Sequence, residues 1–293
     1  MSSVTLRAYA KINISLDVVG KREDGYHLLE SVFQGISLYD EVQVTREEGA
    51  EGICITCNLP YIPTDGRNIV YKVAEAFFRA ANIDRYQVKI HLNKTIPTGA
   101  GLGGGSANGA AVFSALCRLY KISFSVEEAT RLLVPLGADI PFFLHSGTML
   151  AEGVGEILTP APSMPNYTIL LAKPRAGAST KEIFGKLKEV GIPHHPDTEG
   201  VLRALETNNP ELLARSAGNV LENATIPLCP QIGQLKAIMQ KNGAFLSLMT
   251  GSGSTVFGLF TEEKTARRAM RVLQRHTRNV YLTKPICRPM RTE

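Results

Sequence analysis

Five glycines within seven residues, from Gly99 to Gly105, constrain the fold of this chain more than any other feature. They lie in the stretch KTIPTGAGLGGGSANGAAVF, which has no charged residue between Lys94 and Arg118. Ordering so many glycines costs conformational entropy, but glycine also lets the backbone approach a ligand closely. A helix that begins near Ser106 would add the positive end of its dipole. The stretch therefore predicts an anion site made of backbone N–H groups; the structural alternative is a flexible turn before a buried helix.

Three familiar nucleotide-binding motifs do not fit this loop. Gly99, Gly101 and Gly104 match G-x-G-x-x-G, but Pro97 interrupts the approach and no acidic residue ends a following strand at the distance that a dinucleotide site needs. The loop ends in GSA, without the lysine of a Walker loop. Neither H-R-D nor D-F-G occurs, which excludes the protein-kinase signature.

The length of 293 residues lies near the limit of a single core and predicts two lobes. The proline-rich stretch PAPSMPN follows Thr159, so we place the boundary there, with one lobe over 1–160 and the other over 161–293.

The five cysteines are scattered and odd in number, which is typical of a reducing cytoplasm rather than a disulfide framework. Cys54 and Cys57 lie in an apparent strand, where an offset of three places the thiols on opposite faces and makes a zinc site a poor interpretation. No secretion signal is visible at the N-terminus.

The net charge of +5 comes from the C-terminal part of the chain, which is basic. In EEKTARRAMRVLQR, however, Ala266, Ala269, Met270 and Leu273 share one helical face and the arginines lie elsewhere. This pattern indicates a solvated helix face, and we expect neither a nucleic-acid partner nor a membrane.

Alternation of apolar and polar residues over 6–18 predicts a half-buried strand with a polar face that carries Lys11 and Asn13. Strands before helices with this alternation favour an α+β plan. Further strands are predicted over 29–36, 41–44, 53–57 and 87–93, and helices over 68–81, 106–120, 125–136, 180–189, 200–206 and 232–242. Asn68 is the predicted N-cap of the first of these helices, and the third opens with the capping signature SVEE from Ser125.

A second glycine cluster, MTGSGSTVFGLF, places Gly251 and Gly253 between apolar segments. Taken alone, it indicates a hairpin turn. Together with the first loop, it could form a second wall for phosphate groups.

Three segments in this order, AYAKINISLDVVGKREDGYHLLESVF, KTIPTGAGLGGGSANGAA and MTGSGSTVFGLF, resemble the GHMP superfamily of small-molecule kinases. Two more, LGADIPFFL and AEGVGEILTP, resemble the branch that phosphorylates a cytidine diphosphate-linked methylerythritol. The resemblance implies a two-lobed α+β fold, with an N-terminal lobe like ribosomal protein S5 domain 2, a C-terminal α/β-plait-like lobe, and the active site between them.

The resemblance also implies transfer of a phosphoryl group from ATP to an alcohol, with Asp139 as general base and Lys11 as its cationic neighbour. Such transfers are catalysed mainly by positioning of the reactants and by electrostatic stabilisation of the transition state. From the residues alone, Asp139 could equally be the N-cap of a helix that begins at Ile140-Pro141. Lys11 could be a solvent-exposed lysine on a strand.

For the acceptor, the resemblance implies that Tyr26 and Phe184 enclose the cytosine ring, that His27 reads its edge, and that Asn13 contacts the erythritol hydroxyls. From the residues alone, Tyr26 and His27 could be a turn packed on the strand, and Phe184 a core residue. The substrate-contacting residues would also include Gly251, Ser252 and Gly253.

For ATP, the resemblance implies that Asn68, Lys94 and Asn108 lie near the adenosine. Mg²⁺ is expected from the reaction, without an evident carboxylate ligand. Many family members have two serines after the glycines, whereas this chain has Ser106-Ala107, which would tune affinity. The predicted backbone contacts come from Pro97, Thr98, Gly99, Ala100, Gly101, Leu102, Gly103, Gly104, Gly105, Ser106 and Ala107.

Two other functions remain as alternatives to this hypothesis. The first is a GHMP kinase for another alcohol, such as homoserine, mevalonate or a sugar. The second is a non-catalytic protein that binds nucleotides or RNA. For the kinase we expect a cytoplasmic monomer or weak homodimer whose partner is its small-molecule substrate.

Overall fold

Two β-sheets organise the chain in this computed structural model, which describes residues 2–23, 25–145 and 147–286. One sheet has six strands and the other has four, and helices pack against both. The α+β prediction is therefore confirmed. None of the helices in the described ranges is long and apolar enough to cross a membrane.

The first sheet has the order β3-β4-β2-β5-β6, with β1 paired to β2. The pairing of β3 with β4 is parallel, and all the others are antiparallel. Its strands are β1 (Ser2–Lys21), β2 (His27–Glu47), β3 (Gly52–Cys57), β4 (Gln87–Asn93), β5 (Thr148–Gly153) and β6 (Ile157–Pro160).

Strand β2 is one long element, and our prediction of two strands over 29–36 and 41–44 is wrong. Its first half pairs with β5 and its second half with β4, while β1 runs along the opposite edge. The register with β1 shifts where Tyr9 faces Tyr39 but Ala10 faces Ile36. Such a bulge bends a strand without ending it. The chain therefore stays extended over residues 37–40, which separate the two predicted strands.

The helices of the first half cover one face of this sheet. They are α1 (Ile69–Ala80), α2 (Gly104–Tyr120), α3 (Val126–Leu133) and α4 (Ile140–His145). Two predicted caps are confirmed: the side chain of Asn68 accepts from Val70 N at the start of α1, and Ser125 forms a capping box with Glu128. Helix α2 begins at Gly104, before the predicted Ser106, because Gly103 takes the left-handed conformation immediately ahead of it.

The two cysteines of β3 differ in burial, as the predicted strand requires. Cys54 is exposed, whereas Cys57 is half-buried and packs against the core of the first sheet. Cys287 lies outside the described residues.

The second sheet is antiparallel throughout and has the order β10-β7-β9-β8. Its strands are β7 (Thr168–Lys173), β8 (Leu246–Met249), β9 (Val256–Phe260) and β10 (Asn279–Thr283). The helices of this half are α5 (Thr180–Val190), α6 (Thr198–Glu206), α7 (Pro210–Ser216), α8 (Glu222–Leu228), α9 (Gln231–Lys241) and α10 (Glu263–Leu273).

Helices α7 and α8 are missing from the sequence prediction because each has only seven residues, too few for a clear apolar period. Helix α10 confirms the predicted amphipathic pattern. It buries Ala266, Ala269 and Leu273 and leaves Arg267 exposed.

The two sheets share a core and a backbone connection. One apolar cluster joins Ile12 and Ile14 of β1 to Leu171 and Phe257 of the second sheet. Farther along, residues 284–286 lie beside β2: Ser37 N donates to Lys284 O at 2.9 Å, and Ile286 N donates to Gly35 O at 2.8 Å. The end of the described chain is thus hydrogen-bonded to its second strand. The boundary between residues 160 and 161 stays a prediction.

Candidate active site

Lys11 and Asp139 adjoin residues that line two separate cavities, although neither residue lines either cavity itself. The first, of about 480 Å³, is formed by the glycine loop with α1 and the end of β4. The second, of about 660 Å³, lies between the β1–β2 turn and α5. Gly103 lines the first cavity, and a Cβ there would lie 3.2 Å from Lys11 Cγ. Ala138 lines the second cavity and directly precedes Asp139.

The glycine loop alternates between buried side chains and bare backbone. Gly99, Gly101 and Gly103 have φ angles of 57°, 72° and 69°, in the left-handed region that glycine adopts readily. Between them, Ala100 and Leu102 are 3% and 1% exposed and insert into the core shared by the two sheets. The small apolar side chains fix the loop to the core and leave the glycine backbone along the first cavity.

The carbonyl groups of the loop are turned toward the protein. Ala100 O accepts from Thr255 N at 3.3 Å, Gly101 O from Thr250 Oγ1 at 3.2 Å, and Leu102 O from Lys11 N at 3.0 Å. Within the described ranges, no backbone N–H group from Thr98 to Ser106 has a protein acceptor. Free donors in front of a helix N-terminus make an anion site that needs no cationic side chain.

Glycine is required at two of these positions. A Cβ on Gly101 would lie 2.1 Å from Thr250 O, and a Cβ on Gly103 would lie 2.5 Å from the ring of Phe143. Both distances are far below van der Waals contact, so a larger residue would displace the loop.

Lys11 and Asp139 form a partly buried ion pair. Lys11 Nζ lies 3.3 Å from Asp139 Oδ2, and the two side chains are 4% and 32% exposed. The ammonium group also donates to Asn13 Oδ1 at 2.9 Å and lies 4.0 Å from the centre of the Phe33 ring. These contacts fix the ammonium position, whereas the carboxylate stays accessible from the cleft. Lys11 is therefore a buried residue and not a solvated strand lysine.

Asn13 is 1% exposed and connects both halves of the protein to Lys11. Its side-chain amide donates to Ser31 Oγ at 2.9 Å, and its backbone N donates to Thr250 Oγ1 at 3.0 Å. Thr250, which the sequence analysis missed, also donates toward Asn13 Oδ1 at 3.2 Å. The predicted contact of Asn13 with substrate hydroxyls stays a prediction.

The three side chains expected near the adenosine all line the first cavity. Their polar groups already have protein partners, however. Asn68 caps α1 and donates to Pro63 O at 2.6 Å, while Lys94 Nζ donates to Asn108 Oδ1 at 2.7 Å and pairs with Asp40. They shape the cavity wall, and Asp40 is a site residue that the sequence analysis missed.

In the second cavity, His27 and Phe184 stack on each other. Their ring centres are 4.3 Å apart and the planes differ by 16°, so no base fits between these two rings. Tyr26 lines the same cavity and is 64% exposed. Burial, followed by the charges of Lys21 and Lys188, lowers the pKa of His27 below its usual 6.5. A cytosine between Tyr26 and Phe184, read at its edge by His27, stays a prediction.

The second glycine segment is the turn between β8 and β9, and it packs on the first loop. Gly251 and Gly253 are buried and lie outside the lining of both cavities. Asn219 Nδ2 holds this turn by donating to Met249 O at 2.7 Å and to Gly251 O at 2.9 Å. The half-buried Ser252 Oγ lies 3.0 Å from Thr180 Oγ1 on the rim of the second cavity. Contacts of this segment with substrate stay predictions.

The described residues contain no group of three or more His, Cys, Asp or Glu side chains that could hold a metal ion. The lining of the first cavity includes the hydroxyl-bearing Thr98 and Ser106 and no carboxylate.

Models of the GHMP kinase family match two parts of the chain. The N-terminal domain model of the GHMP kinases matches residues 68–147, which include the glycine loop and Asp139. The C-terminal model matches residues 201–279, which include the second glycine segment.

Individual relatives extend the match to almost the whole chain. A 4-diphosphocytidyl-2-C-methyl-D-erythritol kinase of Clostridium novyi (strain NT) is 43% identical over 96% of this chain and 99% of its own length. A crystal structure of 4-(cytidine 5'-diphospho)-2C-methyl-D-erythritol kinase superimposes with a TM-score of 0.81 at 33% identity, covering 96% of this chain and 99% of that one. The homoserine kinase of Cytophaga hutchinsonii has a TM-score of 0.77 at 19% identity, covering 99% and 96% of the two chains, which shows the shared fold.

Proposed function

This chain belongs to the GHMP kinase family, and we propose that it phosphorylates the 2-hydroxyl of 4-diphosphocytidyl-2-C-methyl-D-erythritol with ATP, in the methylerythritol phosphate route to isopentenyl diphosphate. The products are the 2-phosphate and ADP. The observation that carries this proposal is the position of the Lys11–Asp139 pair beside residues of two separate cavities, Gly103 of the first and Ala138 of the second. One cavity is lined by free amides, and the other by aromatic rings.

The first cavity suits the triphosphate of ATP. Its volume of about 480 Å³ is in the usual range for small-molecule sites. The N–H groups from Thr98 to Ser106 and the start of α2 would hold the phosphate oxygens. Ile62, Ile69 and Leu92 supply apolar surface for the nucleoside. The affinity for ATP would then depend mainly on backbone geometry and little on side-chain charge.

The second cavity suits the cytidine end of the acceptor. Stacking on aromatic rings and a few polar groups would fix the base, as is usual for nucleobases in proteins. Tyr26, His27 and Phe184 supply the rings, and Lys181 supplies a positive charge on the same wall. The acceptor would extend from there past Ala138 to Asp139.

In the transfer step, Asp139 takes the proton of the attacking hydroxyl while the new O–P bond forms and the bond to ADP breaks. Because the transition state is loose, the proton leaves late, and a carboxylate is a sufficient base. Lys11 offsets negative charge on the attacking oxygen from its fixed position. The partial exposure of Asp139 gives the proton a route to solvent afterwards.

Mg²⁺ fits this site as a companion of the nucleotide. Its preferred ligands are oxygens, and phosphate groups usually supply several of them. From the protein, the hydroxyls of Thr98 and Ser106, which line the first cavity, are the oxygens that would complete its coordination. When bound, the ion would neutralise charge on the transferred phosphoryl group.

The proposed partners are therefore small molecules alone. That the protein works as a monomer or weak homodimer, and in the cytoplasm, stays a prediction.

The test is ATP consumption with 4-diphosphocytidyl-2-C-methyl-D-erythritol, measured beside homoserine, mevalonate and galactose at equal concentration. We expect kcat/KM for the cytidine compound to exceed that for each other alcohol by orders of magnitude. Equal or higher turnover of any other alcohol would refute this acceptor. No ADP formation with any of the four compounds would also refute this acceptor and would point to another alcohol.

A further inference from the structure

Asp40 is a fully buried carboxylate that receives four hydrogen bonds. Its Oδ1 accepts from the backbone N–H groups of Thr95, at 2.6 Å, and Ile96, at 2.8 Å. Its Oδ2 accepts from Lys94 Nζ at 2.5 Å and from Asn108 Nδ2 at 2.9 Å. Lys94 and Asn108 are also bonded to each other at 2.7 Å, so the three side chains form a closed network.

The partners of Asp40 stand on both sides of the glycine loop. Residues 94–96 lead the chain out of β4 into the loop, and Asn108 lies in the second turn of α2, after the loop. Asp40 itself is on β2 and lines neither cavity. It follows the register shift between β1 and β2, where a bulge can redirect a side chain. One carboxylate thereby holds together the two ends of a loop that has no charged side chain of its own.

The position of Lys94 gives the Asp40 carboxylate a second role, besides joining the two ends of the loop. A Cβ on Gly104 would lie 3.5 Å from Lys94 Nζ, so the ammonium group is next to the first turn of α2. A positive charge is unfavourable at a helix N-terminus, and Lys94 is only 5% exposed. Asp40 compensates that charge at short range, which leaves the field of the helix end for an anion in the cavity.

We propose that Asp40 is the positioning residue of the anion-binding loop: it sets the nucleotide affinity through Lys94, Asn108 and the Thr95 and Ile96 amides, without touching the nucleotide. This inference rests on the proposed function. Five glycines give the loop many accessible conformations, and only some direct its N–H groups to one point. Fixing both ends lowers the entropy that nucleotide binding has to remove.

The variants that test this are Asp40→Asn and the double variant Asp40→Asn with Lys94→Met. The single change removes one acceptor oxygen and leaves the ammonium group of Lys94 without its counter-charge. The double change removes both buried charges together, which proteins tolerate better than an unpaired buried charge. It therefore keeps the test valid if the single variant does not fold. The matched control is Glu47→Gln, on the same strand, which breaks the Glu47–Lys89 pair away from both cavities.

The measurement is ATP affinity by calorimetric titration, with KM for ATP and for the acceptor measured separately. We expect the Kd and KM for ATP to rise on the order of tenfold or more in both Asp40 variants, in line with the loss of charged hydrogen bonds. KM for the acceptor should stay within about twofold of wild type, because Asp40 and Lys94 do not line the second cavity and distant sites contribute independently. Glu47→Gln should leave all three constants unchanged.

The outcomes separate this inference from the proposed function. Wild-type protein that binds no ATP would refute the proposed function. Wild-type binding with unchanged affinity in a folded Asp40 variant would refute the positioning role, as would equal rises in the KM for ATP and for the acceptor. A lower melting temperature with unchanged constants would make Asp40 a structural residue only.

Discussion

The hydroxyl of Thr250 lies 3.0 Å from the backbone nitrogen of Asn13, so a residue of the second sheet's turn is bonded to the strand that carries Lys11. The single proton of the same hydroxyl is shared between Gly101 O and Asn13 Oδ1, each 3.2 Å away. One side chain thus contacts both the phosphate-binding loop and the strand of the ion pair, at the place where the two halves of the protein meet.

Replacing Thr250 by valine removes this hydroxyl at nearly constant volume. Asn13 N then loses its acceptor in a buried place, which costs about 1–3 kcal/mol. We expect kcat/KM to fall on the order of tenfold, a smaller effect than removal of a catalytic group. Thr250→Ser retains the hydroxyl and should recover most of the activity in steady-state assays. Equal losses in both variants would mean that the methyl group matters rather than the hydrogen bonds.

Asp139→Asn tests the general base. The amide keeps the shape of the side chain but cannot take the proton, so kcat should fall about 10²–10⁴-fold. The ATP dissociation constant should stay close to wild type, because Asp139 is outside the lining of the first cavity. Stopped-flow or coupled ADP assays measure the first quantity and calorimetry the second. Near-normal kcat would remove Asp139 from the mechanism.

Phe184→Ala tests the aromatic wall of the second cavity. It deletes a ring that stacks on His27, so the base of the acceptor would lose stacking worth about 1–3 kcal/mol. KM for the acceptor should rise about 5- to 150-fold by that energy, while KM for ATP changes little. Leu187→Ala is the control, since this buried residue lies on the same helix but outside the cavity. A rise in both KM values for Phe184→Ala would indicate a general loosening of α5.

The lowered pKa of His27 predicts an acid-sensitive contribution to stability. The folded protein disfavours the protonated imidazole because of burial first, and then because of Lys21 and Lys188. The unfolded chain therefore binds the proton at a higher pH. Stability should be full above pH 6.5, begin to fall near that value, and level off below the pKa of the folded state. Titration of the His27 ring by NMR and melting temperatures at several pH values measure both.

Two variants check the cause of that shift. Lys21→Gln removes one of the two repelling charges and should raise the pKa of His27 part of the way back to 6.5, because burial and Lys188 still lower it. His27→Gln should flatten the pH dependence of the melting temperature in this range. A His27 pKa at or above 6.5 in the wild type would contradict the argument.

The sequence predicted the features whose causes are local. The caps at Asn68 and Ser125 depend on residues two and three positions away, and both are confirmed. The start of α2 was misplaced because it depends on the left-handed Gly103 rather than on a capping side chain. The single long β2 was missed because its bulge depends on pairing with three other strands.

Asp40 and Thr250 escaped the sequence analysis for a related reason. Each acts through partners far along the chain: Asp40 through Lys94 and Asn108, and Thr250 through Asn13. On its own, Asp40 looks like a polar residue at the end of a strand, and Thr250 like part of a turn. The His27–Phe184 stack likewise depends on how α5 meets the β1–β2 turn, which no local pattern encodes.

The backbone connection between residues 284–286 and Gly35–Ser37 has a consequence for biosynthesis. The segment that completes this part of β2 is made long after β2 itself, because Lys284 follows Ser37 by 247 positions. Contacts of such long sequence separation form slowly. Part of β2 therefore stays uncovered until residues 284–286 have been made and have paired with it. Overproduction of chains truncated before residue 284 should accordingly yield aggregates, because an open strand edge recruits other chains.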